Sequence, residues 1–158
     1  MDVEVRTLPE VRVAYMRYVG SYGSAEIAVM WQRFAVWCAD YGLMSPRRRM
    51  YGVSQDDPQV TPPGKQRYDA CIEVGADFVP VDDVGAQTIA GGRYACADFV
   101  GTPSDVHGAW MRLVTEWLPA SRYQGDTRPA FETYDTDFTV DEETGAFACL
   151  LCLPVRTR

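Results

Sequence analysis

Hydrophobic and polar residues alternate along the first part of this chain and then change to a helical period. From Val11 to Val19 every second residue lies on one face, which predicts a β-strand. Between Ile27 and Tyr41 the apolar residues recur at helical spacing, and Ser21 or Ser24 offers an N-cap. The pattern therefore predicts a strand followed by an amphipathic helix.

Two further strands follow this helix. Gly42 and Pro46 are typical of a helix end, and the segments Met50–Val53 and Tyr68–Val74 have strand patterns. The stretch Ser54–Gln66 between them is rich in Asp, Pro and Gln, so we expect a mobile, solvent-facing loop. The first half of the chain is thus predicted to be a β-α-β-β unit.

The same order of elements returns about eighty residues later. RYVGSYGSAEIAVMWQRFAVW (17–37) resembles ADFVGTPSDVHGAWMRLVTEW (97–117). A β-rich stretch from Gln87 to Val100 leads into the second copy, and its Gly91-Gly92 pair suggests a bulge or tight bend. Thr102 is the expected N-cap of the second helix, with Asp105 completing a capping box.

The second helix is expected to end at Pro119, and strands are predicted at Ala130–Thr136 and Phe147–Leu153. The chain is therefore predicted to be α+β: two pseudo-symmetric β-α-β-β units with an antiparallel sheet, two main helices on it and a ligand cleft where the halves meet. We expect one domain, 1–158, with repeats at about 1–80 and 81–158.

Charge and composition narrow the class of protein. With 158 residues, 47% of them apolar, the chain is long and apolar enough to bury a core. Its net charge of -7 disfavours binding to the phosphate backbone of nucleic acids. No signal peptide or membrane-spanning stretch is visible, so the cytoplasm is the expected location. The five cysteines do not form a disulfide pattern. Cys149 and Cys152 are expected to be core residues on opposite faces of a strand.

Four short segments, in this order and spacing, carry a family resemblance over essentially the whole chain. They are residues 17–22 (RYVGSY), 51–69 (beginning Tyr-Gly and ending Arg-Tyr-Asp), 91–95 (GGRYA) and 129–134 (PAFETY). The chain resembles the GyrI-like superfamily, which includes the effector-binding domains of AraC-type and MerR-type multidrug-sensing regulators. The resemblance implies two β-α-β-β units about a pseudo-dyad.

Those regulators carry a DNA-binding domain before the ligand module, whereas this module begins at Met1. We therefore expect a standalone member that does not bind nucleic acid directly.

Glu132 is the strongest candidate for the site, because the resemblance implies an acidic residue at the base of the ligand pocket in its Phe-Glu-x-Tyr motif. From the residues alone, Glu132 is a carboxylate in the middle of a strand, on the same face as Tyr134, and an exposed strand glutamate is the alternative to a buried one. Burial would favour its neutral form unless a cation or hydrogen-bond donors compensate. A lipophilic cation in an aromatic pocket would do so.

Three other aromatic residues are candidates for lining the cleft. Trp110 lies near the centre of its helical stripe, which favours core packing, with ligand contact as the alternative. Trp37 lies at the edge of the first stripe and could line a groove. Tyr51 precedes Glu132 by 81 positions, so a pseudo-dyad would set the two side chains across the cleft from each other, with packing against the sheet as the alternative.

Three functions remain open at this point. The first is a binding protein for lipophilic small molecules, cationic or electrophilic ones included. The second is protein–protein contact, with DNA gyrase, which it would inhibit, or a regulator as the partner. The third is hydrolysis of reactive natural products with Glu132 activating water. Both alternatives come from the resemblance. No cofactor or metal is expected, since the acidic loops lack metal-ligand spacing.

Overall fold

The computed structural model describes residues 1–45 and 47–158; Pro46, one of the two residues predicted to end the first helix, lies outside them. The strands are β1 Val3–Leu8, β2 Val11–Gly20, β3 Met50–Ser54, β4 Gln66–Glu73, β5 Gly85–Ile89, β6 Gly92–Gly101, β7 Tyr123–Gly125, β8 Ala130–Tyr134 and β9 Phe147–Thr157. The helices are α1 Glu26–Asp40 and α2 Pro103–Arg112, and α2 continues through a π-helical turn, Leu113–Trp117, into a short α3, Leu118–Ala120.

The strands form an antiparallel sheet in the order β1-β6-β9-β8-β3-β4-β2-β5, and β7 pairs with the end of β9. The units β2-α1-β3-β4 and β6-α2-β8-β9 repeat the same topology, and β3 and β8 pair at the centre. This arrangement confirms the α+β class and the two β-α-β-β units.

The strand that precedes each β-α-β-β unit in the chain pairs with the other unit. β1 precedes β2 in the chain but pairs with β6, and β5 precedes β6 but pairs with β2. The β-rich stretch is broken at Gly91-Gly92, as predicted, but by the end of one strand and the start of another rather than by a bulge within one strand. Gly92, with a φ of 142°, starts a new strand because β5 and β6 belong to different parts of the sheet.

Both helices begin and end close to their predicted positions, with two corrections. The capping box of α2 is confirmed, since the Thr102 amide donates to the Asp105 carboxylate at 2.9 Å. The N-cap of α1 is Ala25 rather than a serine. Pro119 does not end the second helix, because the helix widens into the π turn before it and continues to Ala120.

The helices lie on one face of the sheet, on either side of the central β3–β8 pair. One core cluster joins α1 to β2 and β4 through Phe34, Ala14 and Ile72. A second joins α2 to β6 and β9 through Leu113, Ala97 and Leu151. The space above β3 and β8 is therefore bounded by a helix on each side.

The opposite face of the sheet carries its own core cluster. It is built from Val13, Tyr51, Val53, Cys71, Ile89, Tyr94, Cys96, Phe131 and Cys152, with Leu8 and Val11 packed against it. Leu8 belongs to β1 and Ile89 to β5, the two ends of the strand order, so the sheet curls until its two edges share one core. Cys149 packs under α2 whereas Cys152 lies in this cluster, which confirms their predicted placement on opposite faces.

Of the helices in the described residues, none has the length and apolar character that crossing a bilayer requires.

Candidate functional site

Glu132 lies in the middle of β8, at the centre of the sheet, on the face that carries the helices. Its register partner on β3 is Gly52 and its partner on β9 is Leu151, which packs under α2. The residue is only 6% exposed. A carboxyl group is thus held between the two halves, at the floor of the space between α1 and α2.

Two tyrosines bind this carboxyl group. The Tyr68 hydroxyl donates to Glu132 Oε1 at 2.5 Å, and the Tyr134 hydroxyl donates to the same oxygen at 3.3 Å. Trp31 Nε1 of α1 donates in turn to the Tyr68 hydroxyl at 3.2 Å. Within the described part of the chain, Oε2 receives no hydrogen bond from another residue, and no cationic side chain forms an ion pair with Glu132.

Burial dominates the electrostatics of this group. It raises the pKa of Glu132 to about 7, while the hydrogen bonds from Tyr68 and Tyr134 favour the ionised form and limit the rise. Burial, followed by the nearby Glu132 charge, also raises the pKa of Tyr68 well above its usual value. The tyrosines therefore stay protonated donors, and Glu132 changes its protonation state near neutral pH.

Gly52 makes the Tyr68–Glu132 hydrogen bond possible. Tyr68 reaches over position 52 from the neighbouring strand β4. A β-carbon on Gly52 would overlap the Tyr68 hydroxyl and come within 2.5 Å of Glu132 Oε1. The pseudo-symmetric partner of the acidic residue is therefore a residue without a side chain, and the free space is taken by the tyrosine hydroxyl.

Aromatic rings surround the carboxyl group on the helix side. Trp31 packs edge-on against Tyr134 with ring centroids 5.8 Å apart. Phe138, from the loop between β8 and β9, packs on Tyr134 at 5.0 Å and on Phe147 at 5.9 Å. This surrounding suits a flat or lipophilic molecule, and π faces also favour a cation.

Tyr51 does not face Glu132, which corrects the expected pseudo-symmetric pairing. The register aligns Gly52, rather than Tyr51, with Glu132, an offset of 132 − 52 = 80. Because neighbouring strand residues point to opposite faces, Tyr51 lies on the other face of the sheet. There it is 6% exposed and packs against Phe131 at 5.9 Å.

Trp37 and Trp110 are also placed apart from the carboxyl group. Trp37 follows Trp31 by six positions on α1, about 120° away around the helix. It stacks between Phe34 and Tyr41 and borders a shallow groove on the outer side of α1. Trp110 packs on the core under α2. Of the residues proposed from the sequence, the structure brings Glu132 and Tyr134 together.

Tyr68, Trp31 and Gly52 were not identified as site residues from the sequence. Tyr68 and Gly52 both lie in segments that carry the family resemblance, and Trp31 belongs to the predicted helix stripe. Their convergence depends on the register of β3 between β4 and β8, which a single sequence does not reveal.

A second buried acid, Asp69, lies on the opposite face and is fully paired. Arg17 Nε and Nη2 donate to its two carboxylate oxygens at 2.8 and 3.0 Å. Gln55 and Gln87 donate to Oδ2 at 2.9 and 2.8 Å. This cluster ties together β2, β4, β5 and the end of β3, so the charge of Asp69 is used in the fold, unlike that of Glu132.

Known proteins are similar to this chain over nearly its whole length. A family model described as "GyrI-like small molecule binding domain" matches residues 1–156. The chain belongs to this family. The DNA gyrase inhibitor of Edwardsiella piscicida is 27% identical over 160 residues, covering 99% of each chain.

Solved structures share the GyrI-like fold. The C-terminal domain of EcmrR matches with a TM-score of 0.74 at 13% identity, covering 99% of this chain and 98% of that one. SAV2435, solved bound to tetraphenylphosphonium, matches with a TM-score of 0.67 at 16% identity, covering 99% and 94% of the two chains. At these identities the likeness establishes the fold, and the family membership establishes a small-molecule binding domain.

Proposed function

We propose that this GyrI-like domain binds lipophilic small molecules, cations in particular, between its two halves with Glu132 as the polar anchor. The observation that carries the proposal is a carboxyl group that is 6% exposed, hydrogen-bonded by two tyrosines, and without an ionic partner in the described residues. Burying an ionised carboxylate costs desolvation free energy unless an opposite charge compensates it. A bound cation would supply that charge, so the ionised form of Glu132 favours binding of a cation. SAV2435, which shares the fold, was solved with the lipophilic cation tetraphenylphosphonium, and this is consistent with the proposed class of ligand.

The aromatic side chains supply the remaining affinity. Trp31 and Tyr134 present π faces and edges beside the carboxyl group, and Phe138 packs on Tyr134 from the loop between β8 and β9. A lipophilic cation would bury apolar surface against these rings while its charge lies near Oε2. Ligand class is therefore set by charge and shape rather than by a specific hydrogen-bond pattern.

Titration with tetraphenylphosphonium tests the proposal, with triphenylphosphine oxide as a neutral aromatic control ligand. Binding is measured by calorimetry at pH 8, where Glu132 is mostly ionised. Glu132→Gln should weaken binding of the cation by about 1–3 kcal/mol, the scale of a charge-assisted hydrogen bond. It should leave binding of the neutral compound nearly unchanged.

Glu142→Gln is the matched control, because Glu142 lies exposed in the loop between β8 and β9. It removes the same charge from the chain without touching the carboxyl site. Equal affinity of wild type and Glu132→Gln for the cation would reject Glu132 as the anchor.

Hydrolysis is the second candidate, and the pKa of Glu132 favours it. A carboxyl group with a pKa of about 7 is partly ionised at neutral pH and can take a proton from water, while the Tyr68 hydroxyl can donate to a developing negative charge. Product formation from an electrophilic compound, lost in Glu132→Gln with little change in binding, would distinguish this role from that of an anchor.

Inhibition of DNA gyrase stays a prediction that rests on the names of relatives such as the Edwardsiella protein. A DNA supercoiling assay with purified gyrase, with and without this chain, tests it directly.

A further inference from the structure

Two thiols face each other on the side of the sheet away from the helices. Cys96 of β6 and Cys152 of β9 are register partners in the antiparallel ladder. Both side chains lie in the same core cluster and are 2% and 0% exposed. Directly opposite residues in such a ladder have α-carbons about 4.5–5.5 Å apart. Disulfide-bonded cysteines have α-carbons about 4.4–6.8 Å apart, so the backbone already has the spacing that a disulfide needs.

The two thiols differ in acidity. The neighbouring Cys152 thiol and the charge of Arg6 lower the pKa of Cys96, against burial and the charges of Glu4 and Asp98. The neighbouring Cys96 thiol, together with burial, raises the pKa of Cys152 well above its usual value. Cys96 also lies on β6, next to the edge strand β1, so we assign it as the attacking thiol and Cys152 of β9 as the resolving thiol.

Access to Cys96 depends on β1. This strand is six residues long, lies at one end of the strand order, and pairs its Glu4 with Cys96. Edge strands open locally at lower free energy than the centre of a sheet. Fraying of β1 uncovers the strand that holds Cys96 without unfolding β9.

We propose that Cys96 and Cys152 are an oxidation site that forms an intramolecular disulfide when the protein meets a hydroperoxide. Cys96 loses its proton and its thiolate sulfur attacks the terminal oxygen of the hydroperoxide; the S–O bond of a sulfenic acid forms, the O–O bond breaks, and the leaving alkoxide (hydroxide from hydrogen peroxide) takes up that proton and departs as the alcohol or water. Cys152, after losing its proton, attacks the Cys96 sulfur; the S–S bond forms, the S–O bond breaks, and the leaving hydroxide takes up the proton as water. The two thiols supply the two electrons that reduce the peroxide.

Intact-mass spectrometry of the whole purified chain tests the proposal. The reduced protein, freed of reductant, is incubated with hydrogen peroxide in native buffer and then alkylated in denaturant. Its five cysteines are free in the reduced state. The expected product has lost two hydrogen atoms and labels three thiols, since five minus the two bonded leaves three. A non-reducing peptide map should then join Cys96 to Cys152.

Single-site variants assign the bond. Cys149→Ser and Cys71→Ser should still form it, because Cys149 lies on the other face and Cys71 is on a different strand. Cys96→Ser and Cys152→Ser should not form it. Five labelled thiols after prolonged exposure of wild type would overturn the proposal, as would a wild-type disulfide between any other pair or direct conversion to sulfinic acid. Since the peptide map is made on wild type, the test does not depend on any variant folding.

Discussion

Replacing Gly52 by alanine tests how the site is built. Position 52 lies under the hydroxyl of Tyr68, which reaches across it to Glu132. An alanine β-carbon would overlap that hydroxyl, so the tyrosine ring must move away. Gly52→Ala should therefore break the hydrogen bond to the carboxyl group and disturb the bond that Trp31 donates to Tyr68.

The expected magnitude follows from two opposing contributions. Loss of a hydrogen bond to a charged, buried group costs about 1.5–3 kcal/mol. Alanine in a strand interior gains about 0.5–1 kcal/mol over glycine, because the unfolded chain loses less freedom. The free energy of unfolding should therefore fall by about 1–2 kcal/mol at pH 8, where Glu132 is mostly ionised.

Urea denaturation followed by circular dichroism measures this change. Gly125→Ala in β7 is the matched control, because no atom lies within 4 Å of the β-carbon it would add. That variant should be as stable as wild type or slightly more so. Because Glu132 would lose a donor, its pKa in Gly52→Ala should also rise further. Wild-type stability and an unchanged Glu132 pKa in Gly52→Ala would refute the close approach of Tyr68 to position 52.

Four further results are expected. Since the folded chain holds a proton on Glu132 that the unfolded chain releases, the free energy of unfolding should fall by about 3 kcal/mol as pH rises from about 4.5 to about 7, and denaturant titrations of Glu132→Gln should lack this fall. Affinity for a lipophilic monocation should rise about tenfold from pH 6 to pH 8 by calorimetry, with no rise for a neutral ligand. Asp69→Asn should lower the free energy of unfolding in urea by about 2–3 kcal/mol, against less than about 0.5 kcal/mol for Asp135→Asn, whose ion pair is exposed. Hydrogen exchange should be faster at residues 58–65 than in β4; equal protection would contradict a mobile loop.

The hydrophobic pattern within single segments was sufficient to predict most of the strands and helices. The alternation from Val11 to Val19 and the helical stripe around Phe34 identified β2 and α1, because both elements bury one face against the same core. The short strands β1 and β7 were missed. β1 has an exposed, charged pattern whose stability comes from pairing with β6, which is distant in sequence.

The site was only partly predictable for a related reason. Glu132 and Tyr134 share a motif and a strand face, so alternation alone places them together. Which residue lies opposite Glu132 depends on the register in which β3 pairs with β8. A register error of one residue assigns Tyr51 to that place instead of Gly52, and the side chain of Tyr51 points to the other face of the sheet. Glycine also carries no chemical group that would mark it as part of a site.

The pairing of β1 with β6 and of β5 with β2 has a consequence for synthesis of the chain. While the first half leaves the ribosome, β1 has no partner, because β6 is made only after β5. β3 pairs with β4 within the first half, but its other edge has no partner until β8 is made. The nascent first half therefore exposes strand edges until most of the chain has been translated, a state that is prone to aggregation. Its folding should be completed after translation, in one cooperative step with the second half.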